Sequence, residues 1–82
     1  MFLTSEQLRA ARMLLRWSQQ DLSAASGVSL ATIKRLEPRP GALEAHTPTI
    51  SALRVALEEA GIELLKAEDG SGIGVRFKSR GV

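Results

Sequence analysis

The chain has 82 residues, no cysteine and a formal net charge of +2. That length holds one small domain, and without cysteine there is no disulfide, no thiolate catalysis and no thiolate metal site. No apolar run approaches the ~18 residues of a membrane span, Met1-Phe2-Leu3 is too short for a signal-peptide core, and one histidine with scattered carboxylates supplies no catalytic or metal-ligating set, so a cytoplasmic protein without enzymatic activity or cofactor is expected.

The charge is unevenly placed. Residues 1–54 carry seven Arg/Lys against four Asp/Glu, whereas residues 55–82 carry four against five. The basic excess lies in the half whose apolar residues recur at helical spacing.

Helix 1 is predicted from Ser5 to about Arg16. Thr4 is its cap, Gln7 the residue that bonds back to the cap, and Leu3 and Leu8 the apolar pair that brackets the start. Leu8, Ala11 and Leu15 then face the core, with Leu14 alongside. Helix 2 is predicted over Gln19–Ser26. Ser18 caps it, Asp21 completes the capping box, and Trp17 pairs with Leu22 across the start; Leu22 and Ala25 are its expected core residues. Gly27 stands where the chain must leave a helix in a left-handed conformation. Ser29 starts helix 3, over Leu30–Leu36, with Val28 and Ile33 as the bracketing pair and Ile33 and Leu36 as core. Two short helices joined by a glycine turn describe a helix-turn-helix, whose second helix can enter a DNA major groove.

Pro38 and Pro40 then stop the helix, and Pro38–His46 is the longest loop. Helix 4 starts near Thr47 or Thr49, with Pro48 in its first turn, and ends at Gly61; Ile50, Leu53, Leu57 and Ala60 share one face. Beyond Gly61 the apolar pattern alternates, and residues 62–78 read as a β-hairpin turning at Glu68–Gly72. The run Gly70–Gly74 lacks the Lys-Ser/Thr ending and the following helix of a phosphate loop, so it is assigned to that turn.

The stretch from Leu8 to Glu37 resembles the Cro/C1-type (XRE family) helix-turn-helix repressors, most closely at Ser18-Gln19, Leu22, Gly27-Val28-Ser29, Ile33 and Leu36-Glu37. The resemblance spans about residues 4–61 and implies a lambda repressor-like domain of four helices, here followed by a hairpin. It implies that Gln19 holds a DNA phosphate, that Leu30, Ala31, Thr32, Lys34 and Arg35 meet base edges or nearby phosphates, and that Arg12 and Glu37 form an ion pair between helix 1 and the end of helix 3. Ser23 and Ser26 depart from the family pattern, which has a small Ala and an apolar residue there. For Ser26 the expectation is looser packing or a bond from its hydroxyl to a helix 2 carbonyl.

The residues of helix 3 agree with that reading. With Ile33 and Leu36 inside, Leu30, Ala31, Lys34 and Arg35 lie outside, a face with two cations and no carboxylate. Arg35 suits paired bonds to guanine O6 and N7, Leu30 and Ala31 suit thymine methyls, and Thr32 suits a base edge. Lys34, Gln19, Arg39, Thr47 and Thr49 are assigned to phosphates, with His46 beside them. Trp17 is read as partly buried rather than as a stacking platform.

The expected organisation is a DNA-binding domain over 1–61 and a hairpin element over 62–82. An isolated hairpin is marginal in water, so it either lies on the helices or pairs with a second copy through Ile73, Val75 and Phe77. A homodimeric transcriptional repressor that occupies a palindromic operator on double-stranded DNA is the expected function. The competing readings are an antitoxin that binds a toxin protein and represses its own operon, and an interaction module that has lost DNA binding.

Overall fold

The computed structural model describes residues 3–66 and 73–78. Each helix begins at a local signal. In α1 (Ser5–Leu15) the Gln7 amide donates to Thr4 Oγ1 at 3.0 Å, and the Thr4 amide donates to Gln7 Oε1 at 3.1 Å. This reciprocal pair satisfies two of the N–H groups that a helix start leaves without partners. Leu3 and Leu8 are both buried beside it. The helix ends one residue before Arg16, which takes a left-handed conformation (φ 59°).

The second capping box starts α2 (Gln19–Ser26): Asp21 N–H donates to Ser18 Oγ at 3.0 Å, and Ser18 N–H donates to Asp21 Oδ2 at 2.9 Å. Gly27 (φ 78°) closes the helix and donates its N–H to Ser23 O at 2.9 Å. Ser29 Oγ then accepts from the Thr32 amide at 3.2 Å and starts α3 (Leu30–Leu36). Pro48 lies in the first turn of α4 (Thr47–Glu59), whose cap position is His46, without a side-chain bond. Past α4, Gly61 (φ 103°) turns the chain into β1 (Ile62–Leu65). β1 pairs antiparallel with β2 (Gly74–Phe77), Ile62 opposite Phe77 and Leu64 opposite Val75. The turn expected at Glu68–Gly72 lies outside the described residues.

The fold is therefore mainly helical, four helices followed by a two-stranded hairpin. α2 packs against α3 and α4, and the hairpin lies on α4 and α1. Leu8, Leu22, Ile33, Leu53, Leu57 and Ile62 are wholly buried at the centre, so every element except β2 contributes a sealed side chain. Each such side chain gains roughly 1.5–3 kcal/mol by leaving water. Leu15, Trp17, Ile50, Leu64 and Val75 pack partly buried against them.

Two core expectations are corrected. Ala25 is exposed, because α2 spans only two turns and Leu22 alone points to the centre. Leu14 is 39% exposed, because the stripe of α1 follows Leu8 and Ala11 and leaves Leu14 at its margin.

Two long-range ties complete the frame. The Thr4 segment pairs with Ala42 as an isolated bridge, with Ser5 N–H donating to Gly41 O at 2.9 Å and Leu43 N–H to Leu3 O at 3.0 Å. Leu43 is thereby buried, and the long loop is fixed at its middle. Gln7 Nε2 donates to Leu65 O at 2.9 Å and to Gly74 O at 3.1 Å. One buried amide thus joins the cap of α1 to both strands.

Candidate nucleic-acid interface

α3 divides its residues by burial. Ile33 and Leu36 are inside, whereas Ala31, Lys34 and Arg35 are exposed and Leu30 and Thr32 are partly so. Among the described residues neither Lys34 nor Arg35 forms an ion pair. Their charges are therefore available to an anion outside the chain.

A concavity of about 550 Å³ runs beside this face, lined by Thr32, Arg35, Glu44, Ala45, His46 and Thr49. A second, of about 350 Å³, is lined by the Gly27 turn and the start of α4 and shares Thr32 and Thr49 with the first. Ser29 Oγ donates to Thr32 Oγ1 at 2.9 Å, which leaves the Thr32 proton directed elsewhere. Hydroxyls, an imidazole and a guanidinium along a furrow beside a helix form a donor set suited to a sugar-phosphate strand.

The loop supplies a counterweight. Glu44 lines the same furrow, and Arg39 Nη1 donates to Glu44 Oε1 at 3.2 Å. Both side chains are at least 70% exposed, so water screens the pair and it contributes little stability. In the free chain Arg39, one of the residues assigned to a phosphate, thus meets a carboxylate. Thr47 is exposed as the first residue of α4, and Thr49 is partly buried one turn in.

Behind the interface lies a polar cluster that fixes α1, α2 and α3 to one another. The Glu37 side chain is 4% exposed. Its Oε2 accepts from Arg12 Nε at 2.7 Å and its Oε1 from Arg12 Nη2 at 2.8 Å, a bidentate fork. Arg12 Nη1 donates to Trp17 O at 2.8 Å, so the same guanidinium also pins the α1–α2 corner. Hydrogen bonding to Glu37 raises the Arg12 pKa. Gln19 Nε2 donates to Glu37 Oε1 at 3.0 Å, and Arg9 Nη1 donates to the Glu37 carbonyl. Sequence reasoning misses Arg9; its place three residues before Arg12, on the same helical face, is the signal that could have found it.

Ser23 and Ser26, the two departures from the family pattern, both serve the turn. Ser23 Oγ donates to Val28 O at 2.6 Å. Ser26 Oγ accepts from Val28 N–H at 3.1 Å, so its bond runs to the turn and not to a carbonyl of α2.

The hairpin lies on the chain's own helices. Val75 packs against the core there, so of Ile73, Val75 and Phe77 only Ile73 (41%) and Phe77 (49%) are exposed. On the opposite face Arg76 Nε donates to Glu63 Oε1 at 2.8 Å. Among the described residues no helix is long and apolar enough to cross a membrane, and no group of side chains is arranged to hold a metal ion.

Residues 8–37 match the helix-turn-helix family. The match begins in α1, ends at Glu37, and so includes the whole polar cluster and the exposed face of α3. No curated protein matches the chain.

Proposed function

We propose that this chain, whose residues 8–37 match the helix-turn-helix family, is a DNA-binding regulator of the Cro/C1 type, a transcriptional repressor that binds a palindromic operator as a homodimer. The observation that carries this reading is the outer side of α3, where Lys34 and Arg35 are exposed and, among the described residues, form no ion pair, beside a furrow that Thr32, His46 and Thr49 line together with Glu44. Residues 1–61 are the DNA-binding part and 62–82 the dimerisation element. Arg35 reads a guanine, Leu30, Ala31 and Thr32 meet neighbouring base edges, and Lys34, Gln19, Arg39, Thr47 and Thr49 hold phosphates. Ile73 and Phe77, exposed on the hairpin, supply the apolar contact between copies. A dimer sets two recognition helices about one turn of DNA apart, which is why the operator is palindromic.

Selection of binding sites from random duplex DNA tests this reading. Two half-sites at a fixed spacing of about 10 base pairs, centre to centre, are expected, together with affinity that falls steeply with salt as counterions are released. Arg35→Ala flattens preference among sites, with a loss of about 1–3 kcal/mol confined to the best ones; Gln19→Ala weakens all sites alike. Preference left intact in Arg35→Ala refutes the assignment of α3.

An antitoxin that also represses its own operon is a second reading, favoured by the exposed Ile73 and Phe77, which suit a protein partner as well as a second copy. A homodimer that persists at nanomolar concentration and leaves no apolar hairpin surface open counts against it.

A further inference from the structure

Glu37 does more than neutralise Arg12. Arg12 occupies both carboxylate oxygens, yet Oε1 takes a further bond, at 3.0 Å, from the side-chain amide of Gln19. We infer that Glu37 is a positioning residue for DNA binding: it holds one amide proton of Gln19 so that the second is presented to a phosphate. The inference rests on the DNA-binding reading above.

Three observations combine here. First, an ionised carboxylate only accepts hydrogen bonds. It therefore fixes which end of the Gln19 amide turns inward: Nε2 faces Glu37, because Oε1 would meet oxygen with oxygen. Nε2 carries two protons, and the bond to Glu37 uses one. Second, Glu37 is itself immobile. Its side chain is buried, gripped by the Arg12 fork, and its backbone is bonded on both sides, N–H to Ile33 O at 3.0 Å and carbonyl to Arg9. Third, Gln19 is only partly buried, and among the described residues its Nε2 makes no bond besides the one to Glu37. A glutamine free in solution rotates about three side-chain bonds, and ordering it on binding opposes association. A glutamine already held on a buried carboxylate has lost that freedom before the DNA arrives.

The arrangement also ties two kinds of contact together. Glu37 caps the C-terminus of α3, the helix that reads bases, while Gln19 opens α2. A phosphate held by Gln19 is thus referred, through a single carboxylate, to the end of the reading helix. The anchor that sets register and the element that reads sequence share one fixed point.

A double-mutant cycle on the full chain tests the inference. Binding to a selected duplex is measured at one salt concentration for the wild type, Gln19→Ala, Glu37→Gln and the pair. In the wild type, Gln19→Ala weakens binding about fivefold, the size of one ordinary hydrogen bond. In the Glu37→Gln background the same change has less than about a twofold effect, because an amide at position 37 can donate as well as accept and no longer fixes the orientation of Gln19. Equal effects in both backgrounds mean that Glu37 only supports the fold, and overturn the inference. Wild-type protein alone provides a check that needs no stable variant. NMR of the Gln19 side-chain amide shows one proton protected from exchange in the free protein, and the second protected once duplex is added. Both protons exchanging freely before DNA is added overturns the inference as well. Failure of the wild type to bind any duplex removes the DNA-binding reading itself, whereas binding with an additive cycle removes only the role given to Glu37.

Discussion

Replacement of Gln7 by methionine tests how the hairpin is held. The side chain keeps its length and loses every polar atom. Two donated bonds disappear, to Leu65 O at 2.9 Å and Gly74 O at 3.1 Å, together with the bond accepted from Thr4 N–H at 3.1 Å; a longer contact from Thr4 Oγ1, at 3.3 Å, goes with them and adds little. At about 1 kcal/mol net for each bond the loss is roughly 3 kcal/mol. The Thr4 amide adds to it, because Thr4 is buried and water cannot replace the lost acceptor. The two strand carbonyls are only partly buried, and water recovers some of their share. About 3 kcal/mol is a large fraction of the roughly 5–15 kcal/mol that holds a typical domain. Urea unfolding at neutral pH reads it as a lower midpoint. Gln7→Glu supplies the control: it retains an acceptor for Thr4 but sets a carboxylate against two carbonyls. That environment disfavours the charge and raises the folded pKa of the introduced carboxyl, so the variant regains stability as pH falls toward the ordinary carboxylate range. A Gln7→Met variant within about 0.5 kcal/mol of wild type, or a Gln7→Glu variant indifferent to pH, refutes the account of this amide as the joint between α1 and the hairpin.

Two other perturbations have definite expected outcomes. Glu44→Ala removes a carboxylate that competes with phosphate for Arg39 and faces the furrow, so binding to every duplex strengthens at fixed salt; fluorescence anisotropy shows whether it does. The Glu6 carboxyl sits below its ordinary value of 4.5 because it accepts from its own backbone N–H and from Gly41 N–H. A depressed folded pKa stabilises fully above pH 4.5 and loses that contribution as pH falls through the folded value. Glu6→Gln therefore lowers Tm near neutral pH, and the gap to wild type closes in acid; a gap that stays constant down to about pH 3 contradicts the bond to Gly41.

The features legible in the sequence are those decided within a few residues. Thr4, Ser18 and Ser29 cap the helices they precede, and Gly27 adopts the left-handed turn, because a hydroxyl three residues before an amide settles each cap locally and a missing Cβ settles the turn. Burial of Leu22, Ile33 and Leu36 follows from spacing. Ala25 shows where spacing runs out: an eight-residue helix with one sealed side chain has too few positions to define a second. The rest depends on partners far along the chain. Gln7 meets carbonyls 58 and 67 residues away, and nothing near it in the sequence marks it as more than a cap partner. Gln19 reads locally as a polar first-turn residue, and its bond to Glu37 exists only once α2 and α3 are folded together. Arg39 reads as a free cation because Glu44, five residues on, has no helical register to announce the pair.

Arg16 is the sole non-glycine residue at positive φ among those described, and its side chain is exposed. A Cβ in that conformation carries a penalty of about 1–2 kcal/mol. Glycine avoids it at an entropic cost of roughly 0.5–1 kcal/mol. The corner between α1 and α2 is accordingly a reserve: Arg16→Gly relaxes it without touching the sealed interior. Such a background would tolerate harsher interior substitutions, and would let a variant that binds poorly be told apart from one that merely unfolds.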